Sequence, residues 1–310
     1  MAGTSILQRI LAEYPTAKIN AAWFRTPPAV QSDRITCVQG DLRDLDDCRR
    51  MATGCDCAIM AAAYTGGAAY TSRSPFEHMR ENLLMNRQML EALHLEDVQR
   101  IVFIGSAVIY QSFEGNICEN ELDFNKDPHM AYFGFAWAMR FLEKMCEYLH
   151  TTFDHEIVRV RAANIYGPRD KFAPDRSNFI PAIVRKAVDR MDPLTLWGEP
   201  DVTRDVIYCD DFAKAVVMLA AANPIKNEAF NVGSGRPTTV REVVGWALKY
   251  AGHKPKHTEW ISERPTTIKY RALDIGKLQA AIGWKPDTTA EQGVQQTVAW
   301  WQENKEHWQR

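Results

Sequence analysis

The sequence predicts an α/β protein built on a doubly wound parallel sheet, with a smaller C-terminal region. Short apolar segments alternate with segments of helical period through the first two thirds of the chain. The strand candidates are apolar along most of their length, as expected when helices cover both faces of a sheet. After Gly167 and Pro168 the pattern changes to loops with separated helices, which indicates a second region that packs directly on the first.

The individual elements follow in order from this alternation. The predicted strands are Lys18–Phe24, Arg34–Val38, Cys57–Ala62, Arg100–Gly105, His155–Ala162 and Val202–Tyr208. The helices predicted between them are Ser5–Tyr14, Leu42–Ala52, Phe76–Leu95 and Tyr132–His150. Further along, the predicted elements are a helix over Phe179–Asp189, an extended segment over Pro193–Gly198, a helix over Cys209–Ala222, a helix that begins with a capping box of Thr239 and Glu242, and a closing amphipathic helix. We therefore expect a first domain over residues 1–165, to which residues 202–232 return, and a second region over residues 166–310.

Charge and cysteine content limit the classes of function. A net charge of −2 gives no basic field that would attract nucleic acid or an acidic membrane surface, so neither is expected as a partner. No stretch approaches the roughly 18 apolar residues of a membrane span. The first residues lack the basic segment followed by an apolar segment that is typical of a secretory signal. The seven cysteines are odd in number and scattered, which is typical of reduced thiols in a cytoplasmic protein. Cys55 and Cys57 lie close together, but no second pair stands at the spacing of a zinc site, so no metal site is expected.

The first residues depart from a nucleotide-binding α/β fold. Such a fold begins with an apolar strand that runs into a G-x-x-G-x-x-G loop, whose glycines let a pyrophosphate approach a helix N-terminus. Here Gly3 matches the last glycine, whereas the strand and the first two glycines are absent, and a helix begins at about Ser5. The first strand of this topology is central, so its absence leaves a gap of roughly 10 Å in the sheet. We expect either that Lys18–Phe24 lies beside Arg100–Gly105 or that residues outside this numbering supply the strand.

Two hydroxyl side chains carry the candidate chemistry. The apolar strand that begins at Arg100 ends at Ser106, and the carboxyl end of a strand is where α/β sheets bind ligands. Tyr132 stands at the start of a later helix. A serine that holds an oxygen and a phenol that exchanges its proton are the groups that hydride transfer at a carbinol carbon requires. A phenol that works near neutral pH also needs a nearby cation.

Taken in order, these features resemble the extended short-chain dehydrogenase/reductase family and, within it, the GDP-L-fucose synthases. The resemblance covers nearly all of the chain, and its matching segments are Asp41-Leu42, Ala61 to Gly67, Glu81 to Leu83, Asn164 to Pro168, Asp170 to Phe172, Phe179 to Ala182, Arg204 to Asp211 and Asn231 to Gly235. It implies a Rossmann-type sheet whose cofactor contacts are Gly3, Asp41, Leu42, Ala61, Ala62, Ala63, Asn82 and Tyr132. It also implies Ser106 and Tyr132 as the catalytic residues. The contacts that it implies for a nucleoside-diphosphate sugar are Asn164, Asn178 and Arg204, with Arg204 on a diphosphate oxygen.

Departures from the family's pattern bear on the activity. The family's Y-x-x-x-K motif becomes Tyr132 followed by Ala136, which removes the cation beside the phenol. Val108 and Asn178 occupy the positions of the acid/base pair with which fucose synthases epimerise two carbons, and neither side chain relays protons. The prediction is therefore a reductase or epimerase at C4 that uses Ser106 and Tyr132, slow near neutral pH and faster toward alkaline pH. The alternative is a pseudoenzyme or binding protein that keeps the nucleotide-sugar cleft.

Structural roles stay open for five of these residues. Ser106 is also explained as a strand-end hydroxyl that bonds to the backbone, and Tyr132 as an aromatic residue at the start of a helix. Arg204 is also explained as an ion-pair partner of Asp205 or Asp211. Asn164 is also explained as a cap of a turn. Asp41 is also explained as the N-cap of the following helix, a role compatible with an adenine contact.

The end of the second predicted strand bears on the choice of cofactor. The segment Trp23 to Thr26 offers no carboxylate to accept the ribose hydroxyls of NAD, and Arg25 could pair with a 2′-phosphate. This favours NADP, with NAD as the alternative and a solvated Arg25 as the competing interpretation. The resemblance further implies a homodimer that forms through the helices Phe76–Leu95 and Tyr132–His150.

Overall fold

The computed structural model describes residues 1–113, 115–223, 225–262 and 268–308. Its strands are, in chain order, β1 (Ile19–Trp23), β2 (Ile35–Gln39), β3 (Cys57–Met60), β4 (Arg100–Ser106), β5 (Asn116–Ile117), β6 (Glu156–Ala162), β7 (Asn164–Tyr166), β8 (Leu194–Trp197), β9 (Thr203–Tyr208), β10 (Asn227–Val232), β11 (Pro237–Thr239), β12 (Thr258–Ile261) and β13 (Tyr270–Leu273). Its helices are α1 (Ala2–Glu13), α2 (Leu45–Ala52), α3 (Ala68–Arg73), α4 (Pro75–Leu95), α5 (Phe133–Phe153), α6 (Phe179–Val188), α7 (Cys209–Ala221), α8 (Val240–Ala251), α9 (Gly276–Ile282) and α10 (Ala290–Asn304). The predicted strands and helices are confirmed, with ends that differ by a few residues.

The central sheet has the strand order β10-β6-β4-β3, and each of its pairings is parallel. Successive residues of β4 alternate between the two faces of this sheet. Ile101 and Phe103 belong to the core that includes residues of α4 and α5, whereas Val102 belongs to the core that includes residues of α1 and α7. Because side chains alternate with a period of two, an apolar strand of this kind is buried on both faces. The prediction of a doubly wound parallel sheet is confirmed.

The strand β1 does not join the central sheet. Residues 2–13 form α1, so no strand precedes β1 in the described part of the chain. β1 pairs in parallel with β2 in a separate two-stranded sheet. The expectation that Lys18–Phe24 would lie beside Arg100–Gly105 is wrong, because helical crossovers place β3 and β6 on the two sides of β4. The edge strands of the central sheet are β3 and β10.

Local hydrogen bonds decide where α2 and α8 begin. Asp44 accepts a hydrogen bond from the Asp47 N–H at 3.0 Å and forms the N-cap of α2. A turn closed by the Asp44 N–H and the Asp41 carbonyl, 2.9 Å apart, precedes it, so the interpretation of Asp41 as this N-cap is wrong. The capping box of Thr239 and Glu242 is present at the start of α8 and confirms the prediction.

The smaller region contains two further groups of strands. β9 pairs with β7, β11 and β13, and β8 pairs with β12. The core of this region includes Phe172, whose ring stacks on Trp301 of α10 at a centroid distance of 4.1 Å. Within the segment 202–232, α7 contacts α1 and β10 completes the central sheet, whereas β9 lies in the smaller region. The boundaries of the two domains stay a prediction.

Candidate active site

A cavity of about 780 Å³ lies between the carboxyl ends of the central strands and the smaller region. Its walls include the ends of β3, β4 and β6 on one side and residues of β9 and β13 on the other. Open α/β sheets bind their ligands at this edge, and the volume falls within the range of small-molecule sites.

The structure brings most of the sequence-predicted site residues to this cavity. Those that line it are Gly3, Ala61, Ala62, Ala63, Asn82, Ser106, Tyr132, Asn164, Asn178 and Arg204. Arg25, Asp41 and Leu42 lie outside it. The roles of all these residues stay predictions, but Ser106 and Tyr132 share one space, as a sugar held by both hydroxyls requires.

Backbone structure positions both hydroxyl side chains. Ser106 is the last residue of β4, and its Oγ accepts a hydrogen bond from the Val108 N–H at 3.4 Å. This bond leaves the hydroxyl proton of Ser106 available to a ligand. Tyr132 ends a 3₁₀ turn that leads into α5, and His129 caps this turn because its Nδ1 accepts the Ala131 N–H at 3.2 Å.

Two other tyrosine side chains near the site already use their hydroxyls in hydrogen bonds to protein groups. Tyr110 is buried, donates a hydrogen bond to Asn231 Oδ1 at 2.7 Å and accepts one from Arg161 Nη1 at 2.9 Å. Burial raises the pKa of the Tyr110 phenol, so it stays protonated. Tyr166 lines the cavity but donates its proton to the Ala290 carbonyl at 3.0 Å. Both phenols therefore brace the surrounding structure.

In the family that this chain resembles, a lysine stands four residues after the tyrosine. Here that position is Ala136, and it lies in the packed interior. Ala136 is fully buried and does not line the cavity. Arg140, the next basic residue of α5, donates hydrogen bonds to the carbonyl oxygens of Ile109 and Lys126, both at 2.7 Å. Helix α5 therefore presents no available cation to the phenol of Tyr132.

A cation that the sequence analysis missed lies beside Tyr132. The guanidinium carbon of Arg271, on β13, is 5.0 Å from the centroid of the Tyr132 ring. Arg271 stands opposite Arg204 in the register of β13 and β9, and both line the cavity. Burial lowers the pKa of Arg271, and the charge and hydrogen bonding of Tyr132 oppose that shift. Burial and the charge of Arg271 lower the pKa of Arg204 to about 10.

Arg204 and Asn164 also bond to the backbone. Arg204 Nη1 donates to the carbonyl oxygens of Thr203 at 2.7 Å and Ile268 at 2.5 Å. Asn164 Nδ2 donates to the carbonyl oxygen of Asp205 at 3.1 Å. These bonds position the two side chains at the cavity wall.

The ion-pair interpretation of Arg204 is wrong for both proposed partners. The Asp205 carboxylate accepts backbone hydrogen bonds from residues 234, 235 and 273 at 2.7, 3.2 and 3.2 Å. The Asp211 carboxylate accepts hydrogen bonds from the backbone N–H groups of Asp287 and Thr288 at 3.1 and 3.0 Å. Within the described residues, neither carboxylate pairs with Arg204.

Small residues leave the cavity open beside α1. A Cβ at Gly3 would meet no atom within 4 Å, and the short side chains of residues 61–63 follow β3. The first turn of α1 carries no acidic side chain, so its N–H groups favour an anion such as a pyrophosphate. Asn82 braces the facing loop, because its Oδ1 accepts the Tyr64 N–H at 3.0 Å and its Nδ2 donates to the Tyr64 carbonyl at 2.8 Å. The start of α1 and the short side chains beside it therefore fit the pyrophosphate portion of NAD(P).

The predicted adenine contacts form a separate charged cluster. Asp41 pairs with Arg43 at 2.5 Å, and the hydrogen bond from Arg43 lowers the pKa of Asp41. Arg43 also pairs with Glu81 at 2.8 Å. The guanidinium groups of Arg25 and Arg43 lie 5.1 and 5.7 Å from the ring of Phe24, just after β1.

Charged side chains around the cavity favour an anionic ligand. The basic lining residues are Arg169, Lys171, Arg185, Lys186, Arg204 and Arg271, and the acidic ones are Asp170, Asp175 and Glu199. A basic excess in a cleft raises the local concentration of anions. Lys171 also spans the cavity wall, because its Nζ donates to Thr65 Oγ1 at 2.7 Å.

His78 is a buried histidine of the cavity that the sequence analysis did not identify. Its ring lies 4.3 Å from the ring of Phe135, centroid to centroid. Burial, together with the charge of Lys171, lowers the pKa of His78 to about 4. The imidazole is therefore neutral over most of the physiological range.

We expect His78→Phe to remove part of the acid sensitivity of the fold. The pKa is lower in the folded than in the unfolded state, so stability is lost as the pH falls from 6.5 toward about 4. The loss specific to His78 should amount to about 1–3 kcal/mol, because one pKa unit corresponds to about 1.4 kcal/mol. Urea unfolding at several pH values would measure it in the parent, His78→Phe and His307→Gln, the exposed control. Equal acid losses in the parent and in His78→Phe would contradict the lowered pKa.

Three general features concern the described residues alone. They contain no group of three or more His, Cys, Asp or Glu side chains placed to hold a metal ion. No helix in the described ranges has the length and apolar character to cross a membrane. All seven cysteines are free thiols, and Cys48, Cys146 and Cys209 are buried.

Comparison with known proteins adds a family model and individual relatives. The model of the NAD dependent epimerase/dehydratase family matches residues 1–233. The chain is 28% identical over 253 residues to the probable GDP-L-fucose synthase 1 of Oryza sativa subsp. japonica, covering 79% of this chain and 76% of that protein. It is 26% identical over 269 residues to the GDP-L-fucose synthase of Escherichia coli (strain K12), covering 81% of each.

Solved structures share the fold. The UDP-glucose 4-epimerase of Thermotoga maritima matches with a TM-score of 0.84 at 18% identity, covering 98% of this chain and 96% of that chain. A GDP-6-OMe-4-keto-L-xylo-heptose reductase from C. jejuni matches with a TM-score of 0.83 at 18% identity, covering 98% of this chain and 95% of that chain. At this level of identity the likeness shows the fold alone.

Proposed function

Because this chain belongs to the NAD dependent epimerase/dehydratase family, we propose that it is an NAD(P)-dependent reductase or epimerase acting at C4 of a nucleoside-diphosphate sugar. The observation that carries the proposal is the cavity that Ser106 and Tyr132 share, with Arg204 and Arg271 on its wall. The two hydroxyls suit a sugar carbon, and the guanidinium groups suit a diphosphate. The similarity to GDP-L-fucose synthases supports a nucleotide sugar as the class of substrate.

The proposed roles of the two hydroxyls follow from their chemistry. When bound, NAD(P) supplies or accepts the hydride at C4. In the direction of reduction, Ser106 donates a hydrogen bond to the C4 carbonyl oxygen, and Tyr132 transfers its phenolic proton to that oxygen as the carbonyl becomes an alcohol. The phenolate then regains a proton from solvent. In the direction of oxidation, the phenolate of Tyr132 accepts the proton of the C4 hydroxyl.

The reaction proposed is confined to C4. Val108 and Asn178 both line the cavity, but neither side chain exchanges protons. The Asn178 side chain makes no capping bond to α6, so its amide is available to a hydroxyl of the sugar. Double epimerisation at C3 and C5 is therefore not proposed.

The proposed cofactor is NADP, with NAD as the alternative. The residues that would hold its pyrophosphate and nicotinamide portions are Gly3, residues 61–63 and Asn82. The preference for a 2′-phosphate rests on Arg25, which is exposed after β1 and lies with Arg43 over Phe24.

The second candidate function is a nucleotide-sugar-binding protein without turnover. It is favoured by Ala136, which is buried where the resembling family has its lysine. It is also favoured by the separation of the β1-β2 sheet from the central sheet, next to the proposed cofactor site.

Turnover and binding distinguish the two functions. We expect the protein to oxidise NADPH in the presence of a 4-keto nucleotide sugar, more efficiently than NADH, with GDP, UDP and dTDP sugars as the panel. Isothermal titration with the same nucleotide sugars measures binding independently of turnover. Binding without oxidation of either cofactor and without interconversion of the C4 epimers, at neutral and alkaline pH, would contradict the enzyme and support the binding protein. The absence of both would contradict the two functions together.

Two further features stay predictions. We propose a homodimer through α4 and α5, because these helices expose large apolar side chains such as Phe76 at 66%, Phe141 at 57% and Tyr148 at 58%. The cytoplasmic location expected from the scattered cysteines is also a prediction.

A further inference from the structure

We propose that the imidazole of His78 binds a hydroxyl group of the sugar other than the one at C4, and that this contact helps to select the sugar. The inference rests on the function proposed above and deepens it, because it assigns a specificity-determining residue to the same cavity. Ser106 and Tyr132 account for the oxygen at C4 alone, so a further polar contact is needed to fix how the rest of the ring lies.

His78 is a buried polar side chain without a partner. It is 8% exposed and lines the cavity. Within the residues that the structure describes, no hydrogen bond reaches either nitrogen of its ring. A buried polar group that makes no hydrogen bond is costly, and most such groups in proteins are paired. A ligand in the cavity supplies the missing partner.

Neighbouring contacts hold the imidazole in place without using its nitrogens. The ring packs against Phe135 at a centroid distance of 4.3 Å, and the backbone carbonyl of His78 accepts a hydrogen bond from Asn82 Nδ2 at 2.7 Å. Phe135 also lines the cavity and stands three residues after Tyr132. The wall that holds the imidazole therefore continues to the start of α5, where Tyr132 lies.

The direction of α4 places His78 on the outer side of the cavity. Helices α3 and α4 connect two parallel strands, β3 and β4, so the first turns of α4 lie beyond the carboxyl edge of the sheet. Asn82 is level with Tyr64, to which it bonds, just after the proposed cofactor contacts at residues 61–63. His78 is one turn earlier in α4 and so lies about 6 Å farther from the sheet. There the charge of Lys171, which follows β7, acts on it. This placement favours the sugar over the cofactor as its ligand.

The chemistry of the ring favours a hydroxyl group. Burial and the charge of Lys171 lower the pKa of His78 to about 4, so near pH 7 the ring is neutral and offers one donor and one acceptor. A sugar hydroxyl also donates and accepts, whereas a phosphate oxygen only accepts and would leave one ring nitrogen unpaired. A site that pairs a buried polar group with a hydroxyl rejects the analogue that lacks this hydroxyl.

Two buried histidines provide matched substitutions. His78→Phe keeps a ring beside Phe135 and removes both nitrogens. His253→Phe is the control, because His253 is also 8% exposed but does not line the cavity, and its Nε2 donates to the Met191 carbonyl at 3.0 Å. Should His78→Phe fail to fold, as judged by circular dichroism, His78→Leu takes its place.

The first readout is the stability of the proteins without ligand, measured by urea unfolding at pH 8. We expect His78→Phe not to lower the urea midpoint, because it removes a buried polar group that has no partner. His253→Phe should lower the midpoint, because it removes a hydrogen bond.

The second readout is the affinity for the sugar, measured by isothermal titration. The ligands are the tightest-binding nucleotide sugar of the GDP, UDP and dTDP panel, its 2-, 3- and 6-deoxy forms, the nucleoside diphosphate alone and NADPH. We expect His78→Phe to weaken binding of the complete nucleotide sugar by about tenfold, and binding of the nucleoside diphosphate and NADPH to stay unchanged. His253→Phe should match the parent for every ligand.

The deoxy forms test the contact from the side of the ligand. One of them should bind the parent about tenfold more weakly than the complete nucleotide sugar, because it leaves His78 unpaired. The same deoxy form should lose no further affinity in His78→Phe, because substitutions on the two sides of one contact are not additive.

The outcomes separate this inference from the proposed function. Equal affinity of the parent and His78→Phe for the nucleotide sugar, additive losses for every deoxy form, or an equal loss for NADPH would overturn the contact, while binding of the sugar by the parent would leave the proposed function standing. A sugar-specific loss in a protein without turnover would support the contact and favour the binding protein over the enzyme. A parent that binds no nucleotide sugar would overturn the contact and both functions.

Discussion

Replacing Tyr132 by phenylalanine is expected to lower turnover by about 10²- to 10⁴-fold, the usual contribution of a positioned general acid or base. The substitution keeps the ring that lies 5.0 Å from the Arg271 guanidinium carbon and removes only the phenolic oxygen and its proton. Binding of the nucleotide sugar, measured by isothermal titration, should therefore change far less than kcat.

The matched control is Tyr14→Phe, since Tyr14 is 38% exposed at the end of α1 and does not line the cavity. It should keep the activity of the parent. A Tyr132→Phe protein that retained most of its turnover would show that another group carries the proton and that the proposed mechanism is wrong.

The substitution Glu143→Gln is expected to destabilise the fold by about 3–5 kcal/mol, the cost of leaving a buried charge without its partner. Glu143 accepts two hydrogen bonds from Arg161, at 3.0 and 2.8 Å, and the two side chains are 2% and 6% exposed. Arg161 also donates to the Tyr110 hydroxyl at 2.9 Å and to the Glu119 carbonyl at 2.8 Å, so the lost charge weakens a wider buried network. Denaturant unfolding measures the difference in the free energy of unfolding.

A surface pair of the same chemistry provides the control. Arg241 and Asp201 are 62% and 76% exposed and lie 3.0 Å apart, so Asp201→Asn should cost less than about 1 kcal/mol. The double substitution Glu143→Leu with Arg161→Met should recover part of the loss, because no charge is then left buried. Equal costs for Glu143→Gln and Asp201→Asn would contradict the importance of burial.

The parts of the fold that depend on residues close together in the chain could be predicted from the sequence. The strands and helices of the first two thirds follow from apolar segments and helical periodicity, and their parallel pairing follows from strands that are apolar on both faces. The neighbours of β1 were not predictable in this way. Strand order is set by crossovers and by the packing of α1 against α7, contacts between residues far apart in the chain.

The candidate site was predictable in part for the same reason. Ser106 and Tyr132 could be expected in one cavity, because a strand end and the start of a helix converge at the carboxyl edge of a parallel sheet. Arg25 and Asp41 lie outside this cavity, because Asp41 pairs with Arg43 and Arg25 lies over Phe24 at the exposed end of β1.

The sequence by itself determined the doubly wound sheet, the position of the two candidate hydroxyls at a strand end and at a helix start, and the absence of a lysine four residues after Tyr132, because each is a property of neighbouring residues or of their periodicity. Only the tertiary structure decided what stands beside the phenol instead. Arg271 reaches Tyr132 because β13 pairs with β9 and places two arginines in register at the cavity wall. Burial then removes the water that would screen their charge, so the electrostatics of the site depend on a strand pairing to which no local pattern points.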